Sequence, residues 1–305
     1  MTELVAPPEW FSSARSRGEE LFADIVETAT TETMDGYGAL LVGEPYDRSV
    51  VSKRGTEQGP SALREALATT PIPPGSPGAT RSVADIGTIG IPARRNDGSV
   101  QETIRSFTGR VHGTDTVPVF LGGDSSLTFP NVVPAIERGT VGVVRFDSYP
   151  ALDGAPKSGT SYRRLFESGL ESLAVLGARN VGPTLSTVNY PYERRSHIAT
   201  LGVVESGPID AVDRALGALS GADTVYVSVN LNVLSAAAAS GVKAQTPQGI
   251  SATELCTMLR HVATHSHVAG LEMLGCAPLL ESGNQTARAG ARGIVQFLAG
   301  VGETP

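Results

Sequence analysis

Cysteine is scarce. The 305 residues hold two, Cys256 and Cys276, and neither stands in a C-x-x-C pair. A disulfide framework is therefore excluded, and both read as buried apolar thiols. Long apolar runs are missing too. Nothing approaches the ~18 residues that a membrane span needs. The first twenty residues, MTELVAPPEWFSSARSRGEE, contain no apolar stretch of the kind a secretory leader carries. Positive charge is in the minority, with 24 Lys and Arg against 31 Asp and Glu and a net charge of −7. With no basic run either, a nucleic-acid surface is not expected. No G-x-G-x-x-G follows a strand pattern, no G-x-S-x-G occurs, and no internal repeat is visible. These absences predict a soluble cytoplasmic protein that binds neither membrane nor nucleic acid.

What is present is a globular α/β pattern. Hydrophobic residues make up 40% of the chain, enough for a large core. Short apolar runs predict strands at 37–43, 82–87, 117–121, 141–147, 171–176, 197–202, 224–231 and 268–274. Amphipathic stretches between them predict helices, among them 59–68, 99–112, 210–220 and 251–265. The last opens with a capping box, Ser251 and Glu254. Alternating elements with nearly continuous apolar strands give a mainly parallel sheet covered on both faces. Eight such strands could close into a barrel or form an open sandwich, and periodicity alone does not decide.

In open parallel sheets, ligands bind beyond the carboxyl ends of the strands. There the chain reads Gly122-Gly123-Asp124-Ser125 after the third strand and Asp147-Ser148-Tyr149-Pro150-Ala151 after the fourth. The seventh ends Asn230-Leu231-Asn232, and the eighth runs into Gly275-Cys276-Ala277-Pro278. Ser125 invites a nucleophile reading, but no histidine stands at a strand end to serve as its base. His261, His265 and His267 have a zinc-like spacing, yet they precede a strand and so sit at the opposite end of the sheet. A solvated helix end is the better reading. Asp124, beside a helix start, is favourable there for structural reasons alone.

These segments carry a family resemblance. GTEQGPSALREAL (55–67) resembles the G-x-x-x-G-P-x-x-[IL]-R segment of the ureohydrolase superfamily, which includes arginase, agmatinase and formiminoglutamase. VADIGTI resembles its D-x-G strand, VFLGGDSS its L-G-G-D-H-S, and RFDSYPA its F-D-A-H-x-D. VSVNLNVL resembles S-x-D-x-D-V-L, and GLEMLGCAP resembles D-x-x-E-x-x-P. SGTSYRRLF (158–166) is most similar to the S-G-T-P-F-R stretch of formiminoglutamases. The resemblance implies an arginase-like fold, a three-layer α/β/α sandwich around an eight-stranded, mainly parallel sheet. It implies one domain over 1–305, with an N-terminal extension at 1–35 and a core at about 36–299. It also implies formiminoglutamate hydrolysis in histidine degradation, a possible homo-oligomer, and two Mn²⁺ ions.

The six positions that the resemblance makes metal ligands read Ser125, Asp147, Tyr149, Ala151, Asn230 and Asn232, and the acid that meets the substrate's cationic group reads Gly275. Two dications ~3.5 Å apart repel by about 19 kcal/mol at an effective dielectric of ~20. One carboxylate does not offset that. Asp153, two residues late beyond Pro150, is a poor substitute. The expectation is a dismantled metal site with no cofactor, no catalytic and no substrate-binding residue, hence a chain that is not an enzyme as it stands. The alternative is a still active formiminoglutamase or amidinohydrolase with an atypical ligand set.

Overall fold

The computed structural model describes residues 4–11, 19–47, 54–76, 82–91, 97–150, 158–179, 195–264 and 267–303. Among these residues ten strands form one sheet. They are β1 (Leu4–Val5), β2 (Val26–Thr28), β3 (Ala39–Glu44), β4 (Val83–Ile89), β5 (Val117–Gly122), β6 (Val141–Phe146), β7 (Ser172–Ala178), β8 (Ser196–Thr200), β9 (Thr224–Asn230) and β10 (Val268–Leu274). The last eight match the eight runs legible in the sequence. The expected count of eight is thus two short. β1 and β2 were not legible because two or three residues carry no period.

The strand order is β1-β4-β3-β5-β10-β9-β6-β7-β8, with β2 also on β4. All pairings are parallel except β1 on β4. β8 lies at one edge and the short N-terminal strands at the other, so the sheet is an open sandwich rather than a barrel. β3 and β6 are buried at every residue, as a strand covered on both faces must be.

Eight α-helices appear among the described residues: α1 (Gly59–Ala68), α2 (Asp97–Val111), α3 (Thr128–Ile136), α4 (Ser158–Glu167), α5 (Leu201–Ser206), α6 (Pro208–Ala218), α7 (Ala252–Ala263) and α8 (Gln285–Gly300). Two apolar clusters define the layers. One joins Val144, Phe146, Val227 and Met273 to Leu63 of α1, Val212 of α6, Leu259 of α7 and Phe297 of α8. The other joins Val143 and Tyr226 to Phe107 of α2, Val132 of α3 and Leu165 of α4. No helix is long and apolar enough to cross a membrane among the described residues. The predicted capping box of α7 forms, with Glu254 N donating to Ser251 Oγ at 3.1 Å and Ser251 N donating to Glu254 Oε2 at 2.7 Å.

The N-terminal stretch is pinned by more than β1. Trp10, the one tryptophan of the chain, packs on Phe22 and donates from Nε1 to Asp85 Oδ2 at 3.2 Å. Asp85 is fully buried on β4 and paired with Arg64 of α1. Of the two cysteines, Cys276 is buried as expected, whereas Cys256 is only partly covered. Burial pushes the Cys276 thiol up to about 12, which leaves it inert.

Candidate active site

Strands β5, β10, β9 and β6 are neighbours in that order at the middle of the sheet. Because β9 and β10 insert between β5 and β6, the chain doubles back there. That is the kind of crevice in which open α/β sheets place ligands. The carboxyl ends of these four strands surround a pocket of about 260 Å³. It is lined by Asp124 and Ser125 after β5, Gly275 after β10, Asn230 at the end of β9 and Asn232 just beyond it, and Arg145 of β6 with Asp147 and Tyr149 after it. Thr56, Lys243 and Ala244 complete it. The structure therefore brings together six of the seven positions singled out in the sequence. Ala151 and Asp153 lie outside the described residues.

Backbone contacts hold the rim. Asp124 N donates to Tyr46 O at 3.0 Å, and Gly275 N donates to Gly123 O at 2.9 Å. A Cβ on Gly123 would overlap Tyr46 O, so that close approach requires glycine. Gly275 has φ 84°, and a Cβ there would overlap Asn230 Oδ1.

Asp147 is the one carboxylate kept from the ligand set. It is buried, and Oδ2 accepts from Arg145 Nη2, while Oδ1 accepts from Tyr149 N at 3.1 Å. Arg145 is itself 3% exposed and lies 4.6 Å from the Tyr162 ring, and its buried Nη1 has no hydrogen-bond partner among the described residues. Burial opposes its charge, but the Asp147 carboxylate outweighs that and raises its pKa. Lys243 pairs with the buried Asp47, whose carboxylate also accepts from Gly55 N and Thr56 N. Burial opposes ionisation of Asp47, and these donors overcome it and lower its pKa. Asp124 Oδ1 accepts from Ser126 N at 2.9 Å and from Ser126 Oγ at 2.6 Å, as the cap of the turn Ser125–Leu127.

Under the pocket lies a polar layer that was not read from the sequence. Glu272 of β10 accepts from Thr128 Oγ1, Ser228 Oγ and Asn131 Nδ2 at 2.6, 2.6 and 3.0 Å. Asn131 Nδ2 also donates to Glu44 Oε2 at 2.9 Å. Both acids are fully buried. Burial raises both pKa values, and for Glu44 the neighbouring Glu272 raises it further. Arg145 was missed as well, although a lone basic residue inside VGVVRF, on the face of Asp147, was a usable signal. His261 pairs with Asp213 at 2.6 Å, and His267 immediately precedes β10 at the amino end of the sheet. His265 lies outside the described residues.

The donor set described here does not fit a pair of Mn²⁺ ions. Among the described residues no group of three or more His, Cys, Asp or Glu stands together. Asp147 is engaged by a guanidinium, and the asparagine side-chain oxygens accept from backbone, Asn232 N on Asn230 Oδ1 at 3.2 Å and Ser148 N on Asn232 Oδ1 at 3.4 Å.

Comparison with known proteins changes the functional expectation. Formimidoylglutamase of Halobacterium salinarum is 40% identical over 303 residues, covering 96% of this chain and 97% of that protein. Formimidoylglutamase of Halalkalibacterium halodurans is 30% identical, covering 88% of each. The crystal structure of formimidoylglutamase from Bacillus subtilis superposes with a TM-score of 0.85 at 25% identity, covering 96% of each chain. Trypanosoma cruzi formiminoglutamase with Mn²⁺ shares the fold, with a TM-score of 0.82 at 21% identity, covering 94% of this chain and all of that one.

Two expectations are corrected accordingly. The chain was expected not to be an enzyme, and its relatives are enzymes. No cofactor was expected, whereas a protein of the same fold carries Mn²⁺. The expectation rested on six positions, while the likeness extends over the whole scaffold that shapes the pocket. The arginase family model matches residues 37–300. By that match, and by identity that persists almost end to end, the chain belongs to the arginase family and resembles the formimidoylglutamases within it.

Proposed function

We propose that the chain is a C–N hydrolase of the formiminoglutamase type, working with a ligand set that differs from its family's. The observation that carries this reading is the 40% identity to a formimidoylglutamase along 96% of the chain. The pocket supports it in chemical terms. A formimino group is a cationic amidine, and Asp124 and Asp147 are the carboxylates in the lining. The rest of such a substrate is acidic, and Lys243 and Arg145 supply the cations. Hydrolysis adds water across the amidine carbon and breaks its bond to the amino-acid nitrogen. Formamide and a free ammonium group leave, and the proton count closes without an outside donor. The strands that meet at the pocket span Val117 to Leu274 and share one sheet with strands that begin at Leu4, which supports treating the chain as one domain of this kind.

The test is formamide release from N-formimino-L-glutamate by the purified chain, with chelator and with added Mn²⁺. Urea release from arginine and agmatine serves as the comparison. Formamide in excess of urea is expected. A folded protein that releases neither product in either condition would overturn the reading.

A further inference from the structure

Tyr149 is the one aromatic side chain in the pocket lining, among residues that are otherwise polar or small. It is 43% exposed, whereas Tyr46, Tyr162 and Tyr226 are buried. Its backbone N–H donates to Asp147 Oδ1 at 3.1 Å, so the ring springs from main chain fixed beside a buried acid. Three other rings of the chain already carry a guanidinium. Arg145 lies 4.6 Å from the Tyr162 ring, Arg164 3.5 Å from Phe129 and Arg195 5.1 Å from Phe166. Among the described residues no cation stands over Tyr149. Arg179 is near, but its guanidinium is turned to the carbonyls of Asn232 and Val233 and to Thr246 Oγ1. An aromatic face is electron-rich and attracts a cation placed over it. The acids of the lining are partly spent, Asp147 on Arg145 and Asp124 on the turn that it caps. An amidinium is flat, with N–H donors round its edge and none on its faces. Carboxylates take the edge, and a ring takes a face. A neutral amide of the same shape brings that ring no charge.

We infer that Tyr149 is a specificity-determining residue, whose ring takes a face of the substrate's amidinium and so selects that charged, planar group over a neutral amide. The inference rests on the hydrolase reading and deepens it. Hydrolysis turns the amidinium into neutral formamide, so a contact that favours the charged form also favours release of the product. The ring stands where the family resemblance puts a metal ligand. It serves a cation there by its face rather than by a lone pair.

Titration calorimetry with two ligands of one shape tests this: N-formimino-L-glutamate, which is cationic at its amidine, and N-formyl-L-glutamate, which is neutral there. Where turnover consumes the first ligand, its KM is read in place of Kd. Tyr149→Phe keeps the ring and removes the hydroxyl, whereas Tyr149→Leu keeps apolar bulk and removes the ring. Both leave the backbone bond to Asp147 intact, and the exposed position makes both variants compatible with folding, which circular dichroism checks. The wild type and Tyr149→Phe should prefer the formimino ligand by the same ratio. Tyr149→Leu should lower that ratio by about three- to tenfold, the worth of one cation–π contact, by weakening the formimino ligand alone. A wild type that binds neither ligand or shows no preference would overturn the inference. So would a Tyr149→Leu variant that keeps the preference, or a Tyr149→Phe variant that loses as much as Tyr149→Leu. The two proposals fail separately. A preference that depends on the ring, without formamide release, leaves the aromatic contact standing and removes the hydrolase reading. Formamide release with a preference indifferent to Tyr149→Leu does the reverse.

Discussion

At the scale of single residues, Gly275 shows how far the pocket has its own geometry. Its φ of 84° is a conformation that L side chains rarely adopt, and a Cβ there would meet Asn230 Oδ1. The glutamate that the family resemblance places at this position therefore cannot simply be reinstalled beside Asn230. Gly275→Ala should destabilise the chain by about 1–3 kcal/mol, combining backbone strain with the clash. Adding Asn230→Ala should return part of the loss, because it removes the clash and leaves the strain. Denaturant melts of both variants check this, and a single variant as stable as wild type would mean the loop re-folds freely. Arg145 and Asp147 make a related point about legibility. Both letters were plain in the sequence, and Asp147 was singled out by its place at a strand end. Their i, i+2 spacing put both on one face, but what letters could not give is that the two side chains turn to each other and pair. That depends on what covers the face, here the Tyr162 ring against Arg145.

At the scale of elements, β3 and β10 are tied to α3 by two buried carboxylates that share one amide, Asn131. Glu44 has its pKa raised chiefly by burial and then by Glu272, with Asn131 opposing. An acid raised on folding favours the folded state while it is protonated. That contribution is full below the ordinary glutamate value of ~4.3 and is lost as pH rises through the folded value. Glu44→Gln is neutral at every pH. It should therefore melt close to wild type near pH 4 and higher by about several degrees near pH 8. A gap that does not grow with pH would show that Glu44 is not a source of strain between these elements. Helix starts and ends were largely legible, because caps and amphipathic period are local. α1 and the capping box of α7 coincide with the sequence reading. The buried acids were not legible, since Glu44 and Glu272 come together only through the strand order.

At the scale of the whole molecule, the main strands were legible because most, such as β3, β6 and β7, are covered on both faces, which writes a continuous apolar run. Their order was not, and the order makes the site. Only the insertion of β9 and β10 between β5 and β6 brings Ser125, Gly275, Asn230 and Asp147 to one place. That knowledge came through the resemblance, which runs over about residues 36–299, and not through periodicity. Counting ligands at six positions then gave too strong an expectation about activity.

The pinning of Trp10 has an optical consequence. With a single indole in the chain, intrinsic emission excited at the red edge reports one place, the seam where the N-terminal segment meets Phe22 and Asp85. Far-ultraviolet circular dichroism instead reports the helices on both faces of the sheet. The two signals thus watch different parts of the same molecule during a urea titration. Indole–Asp85 contact and the two residue pairs of β1 are a small hold, so the emission change should come at lower urea than the loss of ellipticity. Superimposable curves would mean that the segment stays docked until the sheet itself gives way.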